Sequence, residues 1–115
     1  MRGKNWHICK GEAGEITLAR RIPARFDFVV ETILPACNPI KLAHQIRQDI
    51  WRELKGLKGY SPVVVVLRTG NCFRVRAGGQ VNGMWPRQHT QAVVSSVLND
   101  PARRSRWVMH AGRAR

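Results

Sequence analysis

The amino-acid sequence predicts an α+β domain: a mixed, mostly antiparallel sheet with one long amphipathic helix packed on it and two short C-terminal helices. Three observations predict this. Short segments with apolar residues at two-residue spacing, separated by glycine and proline, have the pattern of half-buried strands. One stretch, Pro39 to Lys58, instead repeats its apolar residues every three or four positions, the period of a helix. Beyond residue 87 the spacing is again helical, with a second start signal at Asp100-Pro101.

The elements follow in order. Trp6 to Cys9 and Ile16 to Ile22 flank a polar bridge with two glycines, Gly11 and Gly14, and so read as a hairpin. Pro23 interrupts, and Phe26 to Leu34 forms a third strand, with Phe26, Phe28 and Val30 on one face. Asn38-Pro39 then starts the long helix: asparagine accepts from free backbone N–H groups, and proline suits the first helical position. Ala43, Ile46, Ile50, Leu54 and Leu57 form its buried stripe, and Gly59 its stop. Pro62 to Leu67 is apolar on both faces, which places it centrally in the sheet. If the run from Phe26 to Leu67 is a parallel strand-helix-strand crossover, the sheet is mixed. Thr69-Gly70-Asn71 turns the chain into Cys72 to Ala77, with Phe73, Val75 and Ala77 inward and Arg74 and Arg76 outward. Gly78-Gly79 and Asn82-Gly83 mark a flexible joint or a further small hairpin. Gln88 to Leu98 is the first short helix, with Val93, Val94, Val97 and Leu98 apolar. The second starts at Asp100-Pro101, with Asp100 as its cap, and runs to about Ala111 with Ala102, Trp107, Val108 and Met109 on its apolar side. Gly112 to Arg115 is expected to fray.

Residues 1–115 suit one domain, long enough for one hydrophobic core, and a hydrophobic content of 43% is that of a globular chain. The longest apolar run, Val63 to Leu67, is far too short to cross a bilayer, and no apolar stretch follows the basic N-terminus, so a cytoplasmic protein without a membrane partner is expected. Cys9, Cys37 and Cys72 are distant and odd in number, which favours free thiols over a disulfide framework.

Catalytic chemistry finds little support. The seven acids, Glu12, Glu15, Asp27, Glu31, Asp49, Glu53 and Asp100, do not cluster, and Asp49 and Glu53 beside Arg52 read as a solvated helix face. Cys37 and His44 make an isolated pair without an enzyme signature. His7 and Cys9 lack the close second pair that structural zinc sites use. There is no phosphate-binding glycine loop or dinucleotide fingerprint. Gly56-Leu57-Lys58-Gly59 has the Gly-x-x-Gly spacing of KH RNA-binding modules, but that loop joins two helices, whereas here it ends one before a valine strand. The expectation is therefore a non-enzymatic protein with no catalytic residues, metal or cofactor.

Charge is more informative. Twenty Lys and Arg face seven Asp and Glu, for a net charge of +13. Residues 59–115 contain nine cations and a single acid, and fifteen of the twenty cations are arginine, whose planar fork suits phosphate and stacks on bases. Three basic groups stand out: Arg47, Arg52, Lys55 and Lys58 on the long helix; Arg68, Arg74 and Arg76 around the Gly70 turn; and Arg103, Arg104 and Arg106 on the last helix. If they converge they form a phosphate-binding stripe, with Trp51, Trp85 and Trp107 as stacking platforms. The expected partner is DNA or RNA held through its backbone. The alternative is an accessory or inhibitory module docking on an acidic protein, which the same charge serves equally well.

Overall fold

The valine run of residues 63–66 is the spine of the sheet. In the computed structural model, which describes residues 6–112, that run lies in β4 (Tyr60–Thr69), third in a five-stranded sheet of order β1-β2-β4-β5-β3. The other strands are β1 (His7–Lys10), β2 (Ile16–Ala19), β3 (Phe28–Pro35) and β5 (Cys72–Val81), and the helices are α1 (Pro39–Glu53), α2 (Arg87–Leu98) and α3 (Pro101–Ala111). The class is α+β, with one long helix and two short C-terminal ones.

Every neighbouring pair of strands is antiparallel. The crossover from β3 through α1 to β4 exists, and those two strands run the same way, but they do not touch. The two-residue turn at Gly70-Asn71 pairs Thr69 with Cys72 and folds β5 back into the gap between them. Register assigns the two faces. Leu18, Val64, Ala77 and Val30 align across four strands, as do Ile16, Val66, Val75 and Thr32, on the face that the helices cover. Thr17, Val65, Arg76 and Glu31 align on the opposite face, with Leu67, Arg74 and Ile33 one step further along.

Asn38 caps α1 as its sequence implies, its Oδ1 accepting from the Lys41 N–H at 3.0 Å, with Pro39 in the first turn. The helix nevertheless ends at Glu53 rather than Lys58. The Leu54 N–H still reaches the Ile50 carbonyl, but Gly56 is a poor helical residue and the chain leaves the helix axis before it. Gly59, with φ of +75°, shapes the entry into β4 and does not stop the helix. Ala43, Ile46, Ile50 and Leu54 are buried as expected, and Leu57 is half-buried against the core.

Three further expectations are corrected. Gly78 and Gly79 are not a joint: they lie within β5, opposite Val29 and Phe28 on one side and Val63 and Pro62 on the other. A Cβ at Gly78 would meet the Phe28 carbonyl oxygen at 2.1 Å, so glycine there permits close approach of β3. On α3, Trp107 and Ala111 are buried one turn apart, whereas Ala102 is exposed and Met109 is 80% exposed, so the apolar side is narrower than the sequence implies. Asp100 holds the cap position, but its carboxylate makes no capping bond and lies 3.6 Å from Arg103. The fraying expected at the C-terminus concerns residues that, beyond Gly112, lie outside those described, as do the first five residues of the expected basic N-terminus. No helix of the described residues is long and apolar enough to cross a membrane.

Candidate nucleic-acid interface

An antiparallel strand rises about 3.4 Å per residue, so ten-residue β4 separates the two ends of the sheet by about 30 Å. Register decides which connections meet at each end. Ala19 pairs with Val63, Phe28 with Gly79 and Tyr60 with Val81, so residues 20–27, 54–59 and 82–86 all emerge at one end, where Trp6 also leads into β1. These segments bring Arg20, Arg21, Arg25, Lys55 and Lys58 together, with Arg87 at the first position of α2, and all six are exposed. The acid in these segments is Asp27.

Asp27 is fully engaged. Arg25 holds both its carboxylate oxygens at 3.2 Å, the Val81 N–H donates to Oδ2 at 2.8 Å, and Arg87 donates to its backbone oxygen at 3.0 Å. The Arg25 bond, then the Val81 N–H, hold its carboxyl below the usual carboxylate range. Arg20, Arg21, Lys55 and Lys58 have no carboxylate partner among the described residues. The N-terminus of α2 opens at the same end with no side-chain cap, which adds a positive dipole end.

The three basic groups read from the sequence do not converge. Lys55 and Lys58 belong to the cationic end just described. Arg47 lies on α1 behind the sheet, half-buried, its guanidinium 4.4 Å from the Trp6 ring centre and its Nε buried without an acceptor among the described residues. Arg52 is exposed, 3.6 Å from Asp49. Arg74 and Arg76 share the uncovered face of the sheet, but Arg68 does not join them. The tight turn pairs Arg68 with Phe73, so it points toward the helix side, and its Nε donates to the Gly70 oxygen at 3.0 Å. Arg74 and Arg76 border a cavity of about 350 Å³ with Val65, Leu67, Glu15 and Glu31. Glu31 pairs with Arg76 at 3.2 Å, so the hollow holds as many carboxylates as guanidinium groups.

The α3 arginines are held by the fold itself. Asp49, expected on a solvated face, is buried: it accepts from the indole Nε1 of fully buried Trp107 at 2.8 Å and from Arg106. Arg103 bridges Glu53 at 2.8 Å. Arg104 donates to Thr32 Oγ1, to the Leu98 carbonyl and to the Ile33 carbonyl on edge strand β3. These contacts fasten α3 to α1 and to the sheet.

The tryptophans divide in the same way. Trp107 is core. Trp51 stacks on Tyr60 with ring centres 6.2 Å apart, Tyr60 on Phe28 at 6.0 Å, and Phe28 meets Trp85 at 5.2 Å. Arg20 lies 6.0 Å from the ring centres of both Trp51 and Trp6, and Arg87 lies 4.5 Å over Trp85. A continuous row of rings thus crosses the sheet at its cationic end, with an exposed arginine at each terminus. Arg20, Arg21, Arg87 and Trp6 were not singled out by the sequence, because nothing in local spacing links residues 6, 20, 51 and 87.

Other chemistry fares less well. Burial pushes the Cys37 thiol above its usual range, which disfavours a thiolate, and burial followed by the Arg47 charge pushes His44 below 6.5. Cys9 and Cys72 are exposed, Cys37 is buried, and all three are free. No group of three His, Cys, Asp or Glu among the described residues is placed to hold a metal ion. A larger hollow of about 600 Å³ beside α3 is lined mainly by Leu34, Pro35, Pro101, Val108 and Met109, and its cation Arg104 is already bonded. Compared with protein-family models, curated proteins and solved structures, the chain matches none.

Proposed function

We propose that this protein is a non-enzymatic nucleic-acid binder that holds the sugar–phosphate backbone at the cationic end of its sheet, with little sequence preference. One observation carries the reading. Two connections distant in sequence carry Arg20, Arg21, Lys55 and Lys58 to one end of the sheet, exposed and without carboxylate partners among the described residues, while the local acid Asp27 is occupied by Arg25. Cations gathered in this way repel one another, a cost that an anionic partner offsets. Of the residues marked in the sequence, Lys55 and Lys58 belong to this surface, and Arg20, Arg21 and Arg87 join them. The same reading places the protein in the cytoplasm, in keeping with its three free thiols.

A salt titration against random-sequence DNA and RNA tests it. Backbone binding gives a steep linear fall of log affinity with log salt, and changing Lys55 and Lys58 to alanine flattens that slope. No measurable binding to either polymer at low salt overturns the reading and favours an acidic protein partner for the same surface.

A further inference from the structure

We infer that this surface selects unpaired nucleic acid, with exposed bases stacking on the two arginine-capped ends of the aromatic row; the inference rests on the backbone-binding reading above. The row is anchored in the core. Phe28 and Tyr60 are buried, and the Tyr60 hydroxyl donates to the Gly78 carbonyl oxygen at 2.9 Å, which fixes the ring. Each arm rises from that base to a half-buried indole, Trp51 on one side and Trp85 on the other. Each ends under an exposed guanidinium, Arg20 or Arg87. The exposed Arg87 guanidinium, 4.5 Å over Trp85, and the exposed Arg20 guanidinium, 6.0 Å from the ring centres of both Trp51 and Trp6, are planar groups on which a base adds the next layer. In a duplex the bases already stack on one another and cannot supply that layer. In a single strand they can, while the phosphates engage Arg21, Lys55 and Lys58 between the arms.

The chemistry separates stacking from charge, because lysine keeps the charge of arginine and lacks its plane. The double variant Arg20→Lys, Arg87→Lys is therefore compared with the wild-type chain on three probes: an unstructured oligothymidylate, a hairpin duplex of equal phosphate count, and inorganic polyphosphate. The expected result is a wild-type preference for the oligothymidylate over the duplex, and about a tenfold loss on the oligothymidylate alone in the variant. Equal wild-type affinity for single strand and duplex, or an equal loss on polyphosphate, overturns the inference and leaves backbone binding standing. No wild-type binding to any of the three overturns both. A thermal melt of the variant that matches wild type ties the loss to the stacking plane, and a single variant Arg20→Lys with an intermediate loss on the oligothymidylate supports two independent arms.

Discussion

The connections at the two ends of the sheet are equal in number and opposite in charge. At the turn end, residues 11–15, 36–38 and 70–71 contain two glutamates and no lysine or arginine. At the other end, residues 20–27, 54–59 and 82–86 contain five cations and one aspartate. The turn end is tight and self-sufficient: the Gly11 N–H donates to the Glu15 carbonyl oxygen, and the Ala13 N–H to the Glu15 carboxylate. The cationic end has spent its one acid on tying residues 25, 81 and 87 together. The net charge of +13 is therefore unevenly shared among the connections of the sheet. The three segments with Arg87 hold six cations against one acid, a net +5 that strand register brings to one end of the sheet.

If both ends hang on one shared core, the largest effects come from truncating that core and leave the charge contrast intact. Trp107→Ala removes the largest fully buried side chain and should cost about 3–5 kcal/mol, with Ile50→Ala at about 2–5 kcal/mol, both read by urea unfolding. Near-neutral values would mean that α1 and α3 do not hold the sheet as described. Next, Asp49→Ala strips the acceptor from the Trp107 indole N–H and from Arg106, and about 2–3 kcal/mol is expected, with nucleic-acid affinity unchanged in the folded variant. A loss of affinity there would place α3 in the interface.

A smaller and more diagnostic effect comes from charge variants. Arg21, Lys55 and Lys58 changed together to alanine should alter stability by no more than about 0.5 kcal/mol per site and flatten the salt slope by about 0.7 per lost contact on a single strand. The matching change of Arg68, Arg74 and Arg76 should weaken binding less, since Arg76 is paired with Glu31 and Arg68 points to the other side. The reverse ranking would move the site to the open face of the sheet. The smallest effect is an acid-induced loosening. Asp27 titrates below its usual 3.8 in the folded chain, so its contribution is whole above that value and is lost as pH falls through the lower, folded one. Arg25→Ala should remove that part of the acid transition, seen as an earlier onset of unfolding on acidification.

Much of the fold was legible because it is local. The Asn38-Pro39 start, the β1–β2 hairpin and the alternation of Arg74 and Arg76 against Phe73 and Val75 each follow from a few neighbouring residues. What was not legible depends on pairing. Gly78 and Gly79 look like a joint until β3 is laid against them. Asp49 looks solvated until Trp107 and Arg106 arrive from more than fifty residues away. The placement of the cations depends on pairing in the same way. Residues 59–115 are the more one-sided half, yet Arg103, Arg104 and Arg106 in that half are used up in fastening α3, while Arg20, Arg21, Lys55 and Lys58, without carboxylate partners among the described residues, come from the half richer in acid. A linear count cannot tell a cation that closes a fold from one that faces solvent.

The hydroxyl that fixes the aromatic row also gives the chain an intrinsic optical reporter. Tyr60 is its one tyrosine, and burial pushes that hydroxyl well above the usual 10. The neutral phenol is favoured by the fold, so its contribution is whole below pH 10 and lost as pH rises through the folded value. On alkaline titration the ultraviolet band of the phenolate should therefore stay silent through the range where a free tyrosine ionises. It should then appear in one step with the opening of the sheet, so that absorbance alone follows the opening of this end of the sheet without any added label.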